Sequence, residues 1–459
     1  MNSLFIFRRD LRLDDNTALI KACQESKKVY PIFIVNPLQV GNKNTFRSEN
    51  SIQFLHESLK DLLDSINGKL MVLHGDNNKV IENIIKKNKI NKVYCNQDYT
   101  PYAKKRDTEL KDLLDKHSIE LCMFEDYTLT PVGSILTDSC TPYTKYTPYK
   151  NKAKKIKVHD PVGFTKAMKD KLTKLDYSAG EHGDGIDILK KYYTDNPNIN
   201  VHGGRVLGLQ IIKNSKNFVD YVKNRNTLTY KTTFLSAYIK FGCISLREVY
   251  HGFHKNLPAD SAFFDELYWH DFYAQAIYHY PKVLEGKSMD ERFDKIKWSG
   301  TWKDFDKWCQ GETGFPIVDA AMKQLNTTGF MHNRARMIVA SFLVKTLLCD
   351  WRWGEKYFAQ KLVDYDPASN VGGWLWTAGG GFDSQPYFRI FNPWTQSEKF
   401  DKDAEYIKYW LPELKDIPAK DLHSWNISYQ KYKDLNYPKP IVDYSANRVK
   451  ALDLYKKYL

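Results

Sequence analysis

"NSLFIFRRDLRLDDNTALIKACQESKKVYPIFIV", residues 2–35, carries two short apolar runs separated by one helical pattern. The flanking runs, "SLFIFR" and "VYPIFIV", are rich in aromatic and β-branched residues and read as strands. Between them, "NTALIKACQES" places its apolar residues at helical spacing. Strand, helix, strand is the unit of a parallel sheet, because a parallel partner needs a crossover connection. The alternation continues along the chain. "KLMVLHG", "KVYCNQD" and "LCMFED" read as three more strands. "NSIQFLHESLKDLLDSI", "KVIENIIKKNK" and "YAKKRDTELKDLLDKH" read as helices. The fold class predicted for residues 1–130 is α/β, with a doubly wound five-stranded parallel sheet. No G-x-G-x-x-G follows the first strand, which argues against a standard dinucleotide site. A ligand beyond the carboxyl ends of the strands stays open.

Residues 131–200 read as a connector. "TPYTKYTPYKNKAKK" has no clean periodicity, and "YSAGEHGDG" is a polar, Gly-rich loop. Residues 201–459 are predicted to be all-helical, on patterns such as "SAFFDELYWHDFYAQAIYHYPKVL", "PIVDAAMKQL" and "HNRARMIVASFLVKTLL". Pro316 suits a first helical turn.

With 459 residues and 42% hydrophobic content, the chain is long and apolar enough for a globular protein of two or three domains. Aromatics make up 14%, enough for extended stacking surfaces. The net charge of +13 favours polyanions, nucleic acid before acidic membrane. The seven cysteines are odd in number and form no C-x-x-C pair, which argues against a disulfide framework and a structural zinc site. The beginning, "MNSLFIFRRDLRLDD", turns charged too early for a secretory signal, and no apolar run reaches membrane-spanning length. An intracellular, soluble protein in a reducing compartment is expected.

One stretch resists these rules. "VDYDPASNVGGWLWTAGGGFDSQPYFRIFNPW", Val363–Trp394, holds three acids, two Asn, three Trp and five Gly. Glycines cost a helix about 1 kcal/mol each, and tryptophans do not suit a solvated loop. The stretch reads as a loop-rich insert between helices, where backbone approaches a flat aromatic ligand and polar side chains meet its edge.

Several long motifs then stand in order: "FRRDLRLDDN", "TTFLSAYIKFGCIS", "ELYWHDFY", "GFPIVDAAMKQLNTTGFMHNRARM", "DYDPASNVGGWLW" and "PYFRIFNPWTQSEKFD". Together they resemble the DNA photolyase/cryptochrome family across almost the whole chain, most like its class I cyclobutane-dimer enzymes. The resemblance implies an α/β antenna domain joined by the connector to an all-α domain that binds FAD and DNA. It implies a phosphate-binding turn at Thr232, Thr233, Leu235 and Ser236, with Phe234 and Ala237 where the family has Arg and Pro. Tyr221 resembles a flavin contact and Arg225 a substrate-side residue. Asp364 and Asp366 resemble acids that pair with Arg336 and meet the polar edge of the flavin. Asn370 matches the residue facing flavin nitrogen five, where plant-type cryptochromes carry Asp.

Glu266 and Trp269 stand three apart and share a helix face. Alone they read as an ordinary interface pair; the resemblance implies that they meet the lesion, with Trp376 lining the opposite wall. Asn333, Arg334 and Met337 match the cyclobutane-dimer enzymes, with Asn333 also touching the cofactor. Enzymes for the 6–4 photoproduct carry His at the positions of Asn333 and Met337, and neither residue replaces an imidazolium as an acid. Trp374, Trp351 and Trp298 match a tryptophan relay that brings electrons to oxidised flavin; alone they read as core packing. The implied activity is light-dependent repair of cyclobutane pyrimidine dimers by a monomer acting on double-stranded DNA. A cryptochrome photoreceptor and a single-strand-specific photolyase of the DASH type are the alternatives. Asn370 and the absence of a long extension after "ANRVKALDLYKKYL" weigh against the first, "MHNRARM" and "GGWLW" against the second. A second, antenna chromophore is implied, and "CNQDYTPYAKKRD" does not choose among folate, deazaflavin and flavin. No metal is implied.

Overall fold

Five strands pair in parallel: β1 (Asn2–Phe7), β2 (Lys28–Val35), β3 (Met71–His74), β4 (Lys92–Asn96) and β5 (Glu120–Phe124). Their order is β3-β2-β1-β4-β5, so the sheet grows outward from β1 in both directions. The crossovers contain α1 (Thr17–Glu25), α2 (Glu49–Ser65), α3 (Asn77–Lys87) and α4 (Pro101–Lys116). The strands alternate between two cores, as a period of two requires. Leu4, Ile6, Ile32, Ile34 and Val93 pack with Val80, Ile84, Leu110 and Leu114 of α3 and α4. Phe5, Phe7, Phe33 and Val35 join the opposite core, which runs on into the helical half. Each such side chain contributes about 1.5–3 kcal/mol on burial. The structure, a computed structural model, describes residues 1–177 and 185–459. Residues 178–184, most of the expected "YSAGEHGDG" loop, lie outside the described residues.

The stretch expected to lack periodicity holds a helix, α5 (Tyr146–Ala153). Tyr146, Tyr149 and Ala153 are its buried face, and tertiary packing rather than local pattern makes it helical. Further on lie α6 (Ser236–Lys240), α7 (Ala262–His279), α8 (Trp302–Gln310), α9 (Asn333–Lys345), α10 (Trp351–Lys361) and α11 (Pro367–Ala378). The helix Pro316–Thr328 between α8 and α9 begins with Pro316, as the sequence suggests.

α11 corrects the reading of the Gly-rich stretch as an insert of loops. Asp366 caps the helix by accepting the Ser369 N–H, Pro367 occupies the first turn, and left-handed Gly379 ends it. Such a cap contributes about 1 kcal/mol. The helical cost of the glycines is offset by close packing: a Cβ on Gly372 would run into the Tyr273 ring. α7, α9 and α10 all pack against α11.

The loop after β1 ties the two halves together. Arg8 bonds Asp107, Arg12 pairs with Asp126 and donates to the Gly242 carbonyl, and Asp15 pairs with Arg247. Arg205 bridges Asp14 and Glu248. Arg12, Asp15 and Asp126 are buried, so each charge depends on its partner. All seven cysteines are free. Among the described residues no helix is long and apolar enough to cross a membrane.

Candidate functional site

The acids at the start of α11 fix the site. Arg336 on α9 donates to both oxygens of Asp364, at 3.1 and 2.9 Å, and the Ser236 hydroxyl donates to Oδ2 at 2.7 Å. Arg336 is itself steadied by the Met331 carbonyl at 2.8 Å. Asp366 does not share this arginine, contrary to the sequence expectation. It accepts from Arg9 at 2.5 Å and from the Tyr127 hydroxyl at 2.7 Å. The reason is its place as N-cap, which turns it back toward the loop after β1. Burial pushes the Asp366 pKa up, but Arg9, His270 and the hydrogen bonds more than offset this and hold it far below the carboxylate range.

Asn370, one turn into α11, gives both amide hydrogens to one residue. Nδ2 donates to the Glu355 backbone carbonyl and to its Oε1, each at 3.0 Å. Glu355 lies on α10 and is 7% exposed. Burial raises its pKa to about 7, against the hydrogen bonds from Asn370 and Tyr365. Gly373, three residues after Asn370 on the same face, has open space where a Cβ would stand.

On α7, Glu266 accepts from Arg225 at 2.7 Å. Burial raises its pKa and Arg225 opposes the rise. Tyr221 is buried one turn before Arg225. Trp269 stacks on Tyr146 of α5 at 3.7 Å and 7°, so one indole face is already held. Both nitrogens of His270 are buried without a hydrogen-bond partner, as are the Tyr230 hydroxyl and Nε2 of His332. His332 caps α9 by accepting the Arg334 N–H at Nδ1, and burial, with Arg336 and Arg334, lowers its pKa to about 4.

The turn Thr232–Ser236 passes through left-handed Phe234, whose ring meets Phe330 edge-on. Thr232 and Thr233 are half-exposed and Ser236 exposed, while Leu235 is buried. Asn333 is exposed; Met337 and Trp376 are half-buried. Arg334 donates to the Asn226 side chain at 2.7 Å and lies over Phe400. Among the described residues, Thr232, Asn333, Met337 and Trp376 make no side-chain hydrogen bond to another site residue. Trp351 and Trp374 are both 2% exposed, whereas Trp298 is half-buried against Tyr455. The Trp374 ring fills the space over Gly354, one turn along α10 from Trp351.

A cavity of about 1250 Å³ opens off the carboxyl ends of β1, β2 and β4 and reaches Arg9 and Glu355. Arg8, Asn36, Asp98, Tyr102 and Arg106 line its sheet side, and Lys240 and Trp353 its helical side. It lies where the strand order reverses between β1 and β4, the usual ligand crevice of an open α/β sheet. Burial lowers the Lys240 pKa to about 7, and Arg9 adds to the effect.

Sequence reasoning missed Glu355, Tyr146 and the Arg9–Asp366 tie. Glu355 in "WRWGEKYF" reads as a solvated helix acid, and only the crossing of α10 and α11 buries it.

A family model described as DNA photolyase matches residues 3–166, and one described as FAD binding domain of DNA photolyase matches residues 263–457. The class defined by sheet, helices and site is thus a flavoprotein with an α/β half and a helical FAD-binding half. The chain belongs to the DNA photolyase family. The deoxyribodipyrimidine photo-lyase of Alkalihalophilus pseudofirmus is 36% identical, over 98% of this chain and 97% of the relative. That of Escherichia coli is 34% identical over the same shares. An archaeal photolyase from Sulfolobus tokodaii, solved with two FAD molecules, superimposes with a TM-score of 0.88 at 38% identity, covering 100% of both chains. A Synechocystis cryptochrome superimposes with a TM-score of 0.89 at 27% identity, covering 99% of each.

The residues present fit FAD. The orphaned imidazole nitrogens and Tyr230 hydroxyl call for polar ligand atoms. The gap at Gly373 leaves room for a flat ring, and Asp364 and Asn370 offer acceptors to its edge.

Proposed function

We propose that this protein is a light-driven lyase that reopens cyclobutane pyrimidine dimers in double-stranded DNA, acting as a monomer. The hold of Glu355 on Asn370 carries this reading. A backbone carbonyl only accepts, so Nδ2 must face Glu355 and only Oδ1 is left for a ligand. An amide oxygen accepts from a protonated flavin nitrogen five and adds no charge, which suits reduced flavin in a dry pocket.

Bound, reduced FAD supplies one electron to the lesion in light and takes it back after the ring opens. The chain holds and orients. Arg336 and Ser236 fix Asp364 at the flavin edge; Thr232, Thr233, the Leu235 N–H and Ser236 form the turn for the phosphates; Tyr221 and Asn333 complete the wall. Arg225 steadies Glu266, whose carboxylate meets the bases. Trp269, braced by Tyr146, and Trp376 flank the flipped dimer, with Arg334 and Met337 at the rim. A damaged pair is poorly stacked, so extruding it costs a few kcal/mol at most. His332 stays neutral at physiological pH, which supports a reaction without a proton donor there.

Trp374, Trp351 and Trp298 form the relay. Residues 1–130 serve the antenna, 131–200 connect, and 201–459 bind FAD and DNA. The cavity at the strand ends takes the second chromophore, and the Sulfolobus relative with two FAD molecules favours a flavin. The test is a duplex with one cyclobutane dimer, mixed with chemically reduced protein. Dimer loss in light and none in the dark is expected; equal loss in both overturns the reading.

A further inference from the structure

We propose that Lys345 is a positioning residue for lesion binding: it holds the loop at residues 386–389 so that Arg389 meets a phosphate of the extruded dimer beside Arg334 and Arg225. It rests on the proposed dimer site. Lys345 ends α9 and is 1% exposed. Its Nζ donates to the Arg389 carbonyl at 3.1 Å and stands 5.8 Å from the centre of the Tyr455 ring. Among the described residues no carboxylate pairs with it. A buried ammonium without an acid is costly, and a core has no need of one where Leu or Met would pack.

The loop is pinned at either end. Before it, the Gln385 N–H donates to the Trp376 carbonyl at 3.2 Å, and the Asp383 carboxylate accepts the Tyr146 N–H at 3.2 Å. After it, the Phe391 N–H donates to the Ser341 hydroxyl of α9 at 3.3 Å. The loop therefore stands between the two walls of the dimer site, Trp376 and the Trp269 that Tyr146 braces. Pro386 and Arg389 are exposed, and Phe388 is 60% exposed. From the core, Lys345 Nζ and the Tyr455 ring reach this segment, the ring stacking on Tyr387 at 5.9 Å and 18°. Tyr455 belongs to the helix Tyr444–Lys456 and is fully buried. Its hydroxyl donates to the Ala378 carbonyl at 2.8 Å, at the end of α11.

Charge gives the arrangement its use. Burial lowers the Arg334 pKa, and Arg225 and Arg389 add to the effect, so three guanidinium groups gather at the mouth of the dimer site. Glu266 pairs with Arg225, which leaves the other two for a phosphate, whose oxygens accept paired N–H bonds from arginine. Burial also lowers the Lys345 pKa to about 7, and the Arg389 charge lowers it further. The groups facing Lys345 are Arg389 from the loop and Tyr455 from its helix. Burial keeps the Tyr455 phenol protonated throughout the neutral range, so Lys345 is the member of this cluster that titrates there. A phosphate on Arg389 removes the repulsion, and the bound form keeps the Lys345 proton to a higher pH than the free form. Binding thus takes up a proton from solvent, and affinity falls as pH rises through about 7.

The experiment measures binding of the FAD-loaded protein, in the dark, to a duplex with one cyclobutane dimer, at stepped pH from about 6 to 8.5. The parent should bind several-fold more weakly at the alkaline end. Lys345→Met keeps the length of the side chain without its donor or charge. At the acid end it should bind roughly tenfold more weakly than the parent, and its profile should be flat. FAD content should be unchanged, and repair in light at saturating duplex should stay near the parent level. Should Lys345→Met fail to fold, Arg389→Ala serves instead: it should weaken binding and flatten the profile, because the coupling runs through its charge. A flat parent profile, or a Lys345→Met variant whose affinity and profile match the parent's, overturns the role of Lys345 alone. A parent that does not prefer the dimer duplex to an undamaged one overturns the dimer site, and this role with it.

Discussion

Both amide hydrogens of Asn370 end on Glu355, one at its backbone carbonyl and one at its carboxyl, each at 3.0 Å. The carbonyl fixes the amide whatever the charge on the carboxyl. The carboxyl titrates near 7, because burial penalises its ionised form.

That shift has a sign. The folded Glu355 pKa is raised, so the folded state binds its proton more tightly than the unfolded chain between about pH 4.3 and 7. Stability at this site is highest in acid and falls as pH rises through that window, by roughly 4 kcal/mol. Glu355→Gln keeps an acceptor for Asn370 and cannot ionise. Urea unfolding at stepped pH should show the variant gaining on the parent from about pH 4.3 to 7. Parallel profiles would show that Glu355 ionises freely.

Asp366 behaves oppositely. Its depressed pKa makes the tie to Arg9 fully stabilising above about pH 3.9, with the contribution lost as pH falls further. Arg9→Ala strands a buried carboxylate, so a loss of about 3 kcal/mol is expected in chemical denaturation near neutral pH. A loss under ~0.5 kcal/mol, the scale of an exposed pair, would mean that the tie does not hold the halves together.

Glu266→Ala removes the acceptor for the bases and frees Arg225. Lesion affinity should drop by about 1–3 kcal/mol with FAD still bound. Loss of flavin with lesion affinity intact would move Glu266 out of the substrate site.

Trp374→Phe keeps an aromatic ring over Gly354 but is much harder to oxidise. Light should no longer reduce the oxidised flavin, while chemically reduced variant repairs near the parent level. A variant that cannot repair when reduced would make Trp374 a structural or substrate residue.

The strands and crossover helices were legible because burial of both sheet faces leaves continuous apolar runs such as "VYPIFIV". α11 was misread, because glycine counts against a helix only until a neighbour needs the space, as Tyr273 does at Gly372. α5 was missed because Tyr146 and Tyr149 find their partners on α7, more than a hundred residues away. Arg225, Glu266, Arg336 and Asp364 met as ion pairs that motif order alone could suggest. Glu355 carried no local signal, since its burial arises where separate helices cross.

The most direct measurement sets two duplexes side by side, one with a cyclobutane pyrimidine dimer and one with a 6–4 photoproduct, each illuminated with chemically reduced protein. Asn333 and Met337 supply no acid, and His332 is held neutral with a pKa of about 4. The cyclobutane duplex should be restored in light and the 6–4 duplex left unchanged. Efficient restoration of the 6–4 duplex, or none of the cyclobutane duplex, would contradict the assignment.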